Sequence, residues 1–460
     1  MNLRTADQLD GVVTHRAGAP RRGGVALVAV LWVVMIASLA FLGVQRGARV
    51  HSAAAYGELH RVQARWLARA GVEQAIAVLY DDLADVDSKT DYWYEDEYSF
   101  EAFELVDGFV FDVYAAAEDD GEQQTAATVR YGLTDYGATV NINVADEKQI
   151  DALTDQTLEP EQIATILDWR DQDQQPRPGG AEATHYGRLD FPYRVRNGEL
   201  ATLRELRLIH RIDATTFFGE DANLNGLLDA AEDDGDKTRP DDNADGRLDH
   251  GLAGLVNVYD YERNQTADGG KRVNINEADA NALQTELYLS KPLAKKVAEK
   301  SGNPKYSSVF DLLEVKADKP PATEQTDEDV VTEITLEWIA ENLDELTLSK
   351  EETLRGRVNV NTASRRVLLS VPEMTQTLAD SIISYRASAL GPVYSVGDLY
   401  LSNTIDEEAF RALAEKLRVR SNVFGVTSRG RRPDGVQQTI TAVIDRASRP
   451  IRVLYWYQSE

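Results

Sequence analysis

Asp221, Asn223, Asn225, Asp229 and Glu232 occupy positions 1, 3, 5, 9 and 12 of a twelve-residue stretch, with Gly226 at position 6 and Leu227 at position 7. Oxygen donors at that spacing, with the Leu227 carbonyl and a bidentate final Glu, suit one Ca2+ ion, and the glycine makes the sharp turn such a loop needs. Leu228 would set an apolar anchor beside it. A second stretch repeats the spacing through Asp241, Asn243, Asp245, Gly246 and Asp249, but its twelfth position is Leu252. Another carboxylate, from the run Asp233 to Asp236, would have to complete it. Calcium at these loops would be structural, ordering a segment whose carboxylates otherwise repel one another.

Bond-breaking chemistry finds little support. H-E-x-x-H, G-x-S-x-G and G-x-x-x-x-G-K-[ST] do not occur. The six histidines (His15, His51, His60, His185, His210 and His250) have no ligand spacing, and with no cysteine there is neither a disulfide nor a thiolate site. Asp168 and Asp171 flank Trp169-Arg170 and could be a carboxylate pair, but a capped helix end with an Asp–Arg contact explains them more simply. No catalytic residue is assigned, and the chain is not expected to be an enzyme.

These residues sit in a 460-residue chain with a net charge of −28. That field repels nucleic-acid phosphate and favours divalent cations. Val25 to Val44 contains no charge. As a helix it spans about 30 Å, the thickness of the bilayer hydrocarbon, so a single transmembrane segment is expected. Arg4, Arg16, Arg21 and Arg22 precede it, leaning toward a cytoplasmic N-terminus, though Arg46 and Arg49 follow. Beyond it, Val62, Trp66, Leu67, Ala70, Val72, Ala75, Ile76 and Leu79 keep helical spacing to Leu83 with no proline, predicting one long helix whose outer half is amphipathic.

Gly108 to Ala116 and Thr128 to Val140 read as strands, as do Ser421 to Gly430 and Thr439 to Tyr457. A sheet drawn from both ends implies that the middle is an insertion. That middle repeats itself. Val140-Asn141-Ile142-Asn143 recurs as Val273-Asn274-Ile275-Asn276 and as Val358-Asn359-Val360-Asn361, each leading into a helical pattern that the second Asn is placed to cap. Each copy closes on a turn in which Thr202, Ser308 or Ser395 stands as an N-cap with an acidic residue three positions on. A Pro/Gly-rich loop after Asp171 interrupts the first copy, and a second loop, Lys316 to Asp329, reads as a flexible surface connection.

Several of these features together resemble a known family. The basic leader ending Arg21-Arg22-Gly23-Gly24 before Val25-Ala26-Leu27 is similar to the prepilin-peptidase site of type IV pilins and type II secretion pseudopilins. Asp168-Trp169-Arg170-Asp171, followed by Pro176-Arg177-Pro178-Gly179-Gly180 and by the stretch from Tyr193 to Ile209, resembles the minor pseudopilin K family. The repeats resemble helix-hairpin-helix modules. Their hairpins lack the Gly-h-Gly of DNA-binding versions, with Pro372-Glu373-Met374-Thr375 in the third copy and Leu289-Ser290-Lys291-Pro292 in the second. Ala29 stands where most pilins have Glu, and loss of that Glu is characteristic of the K subunit.

The resemblance implies an α+β fold. A pilin-like long N-terminal helix packs on a small antiparallel sheet, with a large, mostly α-helical insertion domain containing helix-hairpin-helix repeats. It divides the chain into a prepilin leader (1–24), cleaved between Gly24 and Val25 with methylation, a transmembrane part (25–44), pilin-like helix and strands (45–139), an inserted helical domain (140–420) and closing strands (421–460). Within the insertion the hairpin units lie near 140–215, 273–315 and 358–415, and the calcium-loop segment at 220–252. Implied partners are I- and J-like minor pseudopilins, prepilin peptidase and the inner-membrane secretion platform. The implied role is capping the pseudopilus tip and helping initiate assembly, single-pass in the bacterial inner membrane with a periplasmic bulk, and without nucleic acid. The alternative is a membrane-anchored helix-hairpin-helix DNA-binding protein of the competence type.

Overall fold

The computed structural model describes residues 23–82, 85–116, 129–154, 157–300, 302, 304–317 and 330–458. Residues 1–22 of the expected leader and 318–329 of the expected loop lie outside them. Helix α1 runs Gly23–Asp81. Residues up to Val62 form one unit and those from Gln63 onward another. In the first unit the stretch from Val25 is long and apolar enough to cross a membrane, and none of it is buried against protein.

In the second unit, the end of α1 buries Ala64, Leu67, Ala68, Val72, Ala75 and Leu79. Trp66, expected on that stripe, is exposed. The packing face is the narrower one of small residues, because the helix lies close on the sheet. A Cβ on Gly71 would stand 2.2 Å from Ser428 Oγ, and one on Gly430 would stand 2.1 Å from the Ala64 carbonyl. The glycines set that approach.

The sheet is seven-stranded and antiparallel. Its strands are β1 (Phe103–Val106), β2 (Phe109–Ala116), β3 (Val129–Arg130), β4 (Thr134–Asp135), β5 (Val423–Arg431), β6 (Gln437–Asp445) and β7 (Arg452–Gln458). The order is β1-β2-β5-β6-β7, with β3 on β2 and β4 on β5. Alternation along β2, β5 and β6 buries Phe111, Val113, Phe424, Val426, Ile440, Ala442 and Ile444 under α1. The expected strand from Thr128 to Val140 is instead two short pairings and a 3-10 turn (Tyr136–Ala138). Asp135 caps that turn and then faces inward, so the chain leaves the sheet there.

Between β4 and β5 the chain makes short helices with a separate core. Its departure and return meet at one buried group of polar residues. Asp135 Oδ2 accepts from Asn359 Nδ2 (3.0 Å), Thr362 Oγ1 (2.5 Å) and Ser421 Oγ (2.9 Å). Asp87 Oδ2 accepts from the Ser421 N–H (2.7 Å) and Arg446 Nη2 (2.6 Å). A second seam crosses the insertion. Buried Glu262 takes Arg272 (2.7 Å) and Arg357 (3.2 Å), and Arg272 and Arg420 share Asp344. In these two groups every buried charge is held by at least one partner, which offsets the cost of taking it out of water.

Candidate functional site

The three repeats fold alike. Val140-Asn141 pairs in parallel with Val256-Asn257, Val273-Asn274 with Leu346-Thr347, and Val358-Asn359 with Leu417-Arg418. In each, the first Asn accepts the N–H of the second at 3.0 Å, closing the turn. The second Asn is not a helix cap. The caps are Asp146, Asp279 and Ser364, which accept from the first-turn amides. The second Asn instead grips a distant residue by both backbone groups. Asn143 takes Leu200 (2.8 and 3.0 Å), Asn276 takes Tyr306 (2.9 and 3.2 Å), and Asn361 takes Val393 (2.8 and 2.9 Å). A carboxamide is suited to this, since it offers one donor and one acceptor side by side.

Two of the closing turns are capped as the sequence implies, whereas Thr202 makes no side-chain cap and Glu205 accepts from the Ala201 N–H instead. Thr202, Ser308 and Ser395 precede Leu203–Leu208, Val309–Glu314 and Val396–Leu401, and Ser308 and Ser395 form capping boxes with Asp311 and Asp398. Arg170 and Arg386 hold equivalent places in the first and third copies. Arg170 donates to the Ile142 and Ala145 carbonyls, Arg386 to those of Val360 (2.6 Å) and Ala363 (2.7 Å). At the hairpins, Tyr288 (φ 53°) and Glu373 (φ 72°) occupy left-handed backbone positions. Glu373 is exposed there, so the tip of the third hairpin presents a carboxylate where a phosphate-binding hairpin presents bare N–H groups.

The acidic loops are ordered turns. Asp221 is buried and accepts from the Asn225 N–H (3.0 Å) and Gly226 N–H (2.8 Å). Asn223 and Asn225 both point their amides at Asp229 Oδ2 (2.7 and 3.0 Å), and Asn225 Oδ1 accepts from the Leu227 N–H. Glu232, also buried, accepts from the Asp229 N–H (3.0 Å). The donor residues of the first loop therefore converge. Burial pushes the Asp221 carboxyl up to about 6, against the two amides that favour its ionised form, and burial likewise raises Glu232. Carboxylates drawn together without compensating charge fit a hard cation at this place.

The second loop converges less completely. Asn243 Nδ2 reaches Asp249 Oδ2 (3.0 Å), and the Asp245 and Arg247 amides close turns on Asn243 and Asp245. Asp241 turns outward to Arg239. The Gly246 amide, which Asp241 would take by analogy with Asp221, donates to Asp233 Oδ1 (3.1 Å). Glu220 supplies what Leu252 lacks, accepting from the amides of Asn243 (3.1 Å) and Asp249 (3.0 Å). Glu220 sits one residue before the first loop, outside the twelve-residue frame, so spacing gave no sign of it. The loops are joined by a bridge between Gly219 and His250.

Asp168 and Asp171 do meet an arginine, but it is Arg177 from the following loop (2.7 and 2.5 Å). At the other end of the chain α1 begins at Gly23, which puts Gly24 and Val25 in its first turn and Ala29 in the exposed apolar stretch.

Residues 112–218 match the family profile described as type II secretion system protein K, and residues 355–418 match the helix-hairpin-helix motif. The first match runs from β2 through the first repeat, and the second covers the third repeat. Among curated proteins no sequence matches. The chain is similar to a chain in the crystal structure of the GspK-GspI-GspJ complex from the enterotoxigenic Escherichia coli type 2 secretion system. The two are 14% identical, with a TM-score of 0.44, over 90% of this chain and 99% of that one.

Proposed function

We propose, from the premise that this chain carries the protein K domain of type II secretion, that it is a minor pseudopilin which caps the pseudopilus tip and helps to start its assembly. The observation that carries this is the 112–218 match, because it spans the junction where the chain leaves the sheet and enters the first hairpin module. Ala29 supports the tip position. A carboxylate in hydrocarbon is expensive unless paired. A subunit that has no neighbour above it gains nothing from keeping one. Removal of residues 1–24 would leave Val25 at the head of a single transmembrane helix, N-terminus cytoplasmic and bulk periplasmic, in the inner membrane. I- and J-like pseudopilins, prepilin peptidase and the inner-membrane platform are the partners this role needs. The work is assembly and contact, without bond chemistry.

Calcium has a structural part in this proposal. Asp221, Asn223, Asn225, Asp229 and Glu232, with the Leu227 carbonyl, would hold one ion. Glu220, Asn243, Asp245 and Asp249 would hold a second, with Asp233 in the place expected of Asp241. Each ion would neutralise carboxylates that burial now disfavours.

N-terminal sequencing of the protein purified from cells with an active prepilin peptidase should begin at Val25, and retained Met1 would contradict processing. Immunogold on overproduced fibres should mark ends only. Gold along the shaft would remove the cap role. Salt-dependent DNA binding by the full chain in detergent would favour the rival DNA receptor.

A further inference from the structure

Asp168, Asp171 and Glu182 each bring a carboxylate oxygen within 4.8 Å of the others. They come from three places. Asp168 lies in the helix Pro160–Arg170, Asp171 caps its end, and Glu182 precedes the short helix Ala183–Tyr186. Gly180 permits the convergence, since a Cβ there would stand 2.0 Å from Asp168 Oδ2. Asp168 is fully buried and Glu182 is 4% exposed. Arg177 serves Asp168 Oδ1 and Asp171 Oδ2. Asp171 Oδ1 and both oxygens of Glu182 are buried without any hydrogen-bond partner.

That is an unusual expense. A buried carboxylate normally finds donors, and an unpaired one costs several kcal/mol or takes up a proton. The neighbouring Arg170 cannot help, because it is committed to the Ile142 and Ala145 carbonyls. Three carboxylates against the guanidinium of Arg177 leave two negative charges in excess, the charge of one divalent ion. A cleft of about 510 Å³, lined by Gln174, Gly180, Glu182 and His185 among others, gives Glu182 a path to solvent.

We infer that Asp168, Asp171 and Glu182 form a divalent-cation site separate from the acidic loops, taking calcium in preference to magnesium. The donors are all hard oxygens, which excludes thiophilic metals, and irregular carboxylate geometry is tolerated better by calcium than by octahedral magnesium. Such an ion would pin the end of the helix Pro160–Arg170 to the start of Ala183–Tyr186, closing the Pro/Gly-rich loop between them. The inference does not rest on the secretion reading.

Terbium can test it in the full chain in detergent. Trp169 lies between two of the donors, and residues 221–252 contain neither Trp nor Tyr. Terbium emission excited at the red edge of the indole band should therefore report this site and be displaced by calcium. Glu182→Gln should weaken it by at least about tenfold, as should Asp171→Asn, while the loop variant Asp229→Asn should keep it. In EDTA, Glu182→Gln should melt no lower than the parent, since it loses only repulsion. Absent indole-excited emission in the parent, or emission unchanged in both Glu182→Gln and Asp171→Asn, would overturn the inference.

Discussion

The side chains that decide most in this protein are buried charges with shared partners, and Glu262 is the clearest. Burial alone would raise its carboxyl. The charges of Arg357, Arg272 and Arg418 outweigh burial and hold it below its ordinary 4.5. Glu262→Gln leaves Arg357 without its hydrogen-bonded carboxylate and Arg272 with Asp344 alone, and should lower stability by about 3 kcal/mol near neutral pH. The sign of the pH dependence follows from a lowered folded value. The stabilisation is complete above pH 4.5 and is lost as pH falls through the folded value, so the parent and variant melting curves should converge only in acid. A gap that stayed constant from pH 7 to pH 3 would show that Glu262 acts through shape and not charge. None of this seam is visible in sequence, because Glu262, Arg272, Asp344, Arg357 and Arg420 follow no common spacing.

Among the elements, the hairpin repeat was legible and its working part was not. Three copies of a Val-Asn-x-Asn pattern announce a unit, and the closing caps at Ser308 and Ser395 follow from capping chemistry that is local. The grip of the second Asn is not local, since its partners lie 57, 30 and 32 residues away in the three copies. A helix cap was the nearest explanation available within a short window. Asn361 is buried while Asn143 and Asn276 are partly exposed, so the three grips should differ in strength. Asn361→Ala strands a backbone donor and acceptor on Val393 and should cost roughly 2–4 kcal/mol, with smaller losses for Asn143→Ala and Asn276→Ala where water can enter. Equal losses in all three, measured by denaturant melts, would argue that the grips matter only as local turns. The long helix shows the same divide. Its length could be read from the missing prolines, but its packing face could not, because Gly430 and Ser428 lie far along the chain and select Ala64, Ala68 and Gly71 over Trp66.

For the whole molecule, a net charge of −28 works against compaction and makes the acidic segments sensitive to what neutralises them. If calcium fills sites in the folded chain only, a hundredfold excess over Kd stabilises it by about 2.7 kcal/mol per site. EDTA should therefore lower Tm, and readded calcium should restore it where the same ionic strength of sodium chloride does not. A melting curve indifferent to EDTA would remove the calcium sites from the account. That strands from both ends of the chain enter one sheet was legible at this scale, because they share an alternation. The place where they rejoin was not, since Asp135, Asn359, Thr362 and Ser421 carry no pattern.

That meeting place has a bearing on how such proteins can change. A detour that departs and returns at a polar knot can change length at its far side without altering strand register, provided it keeps the contacts that Tyr261 makes with Asp445 and Tyr259 with Tyr455. A graft meant to give this scaffold another head would therefore have to preserve those two contacts as well as the four side chains of the knot.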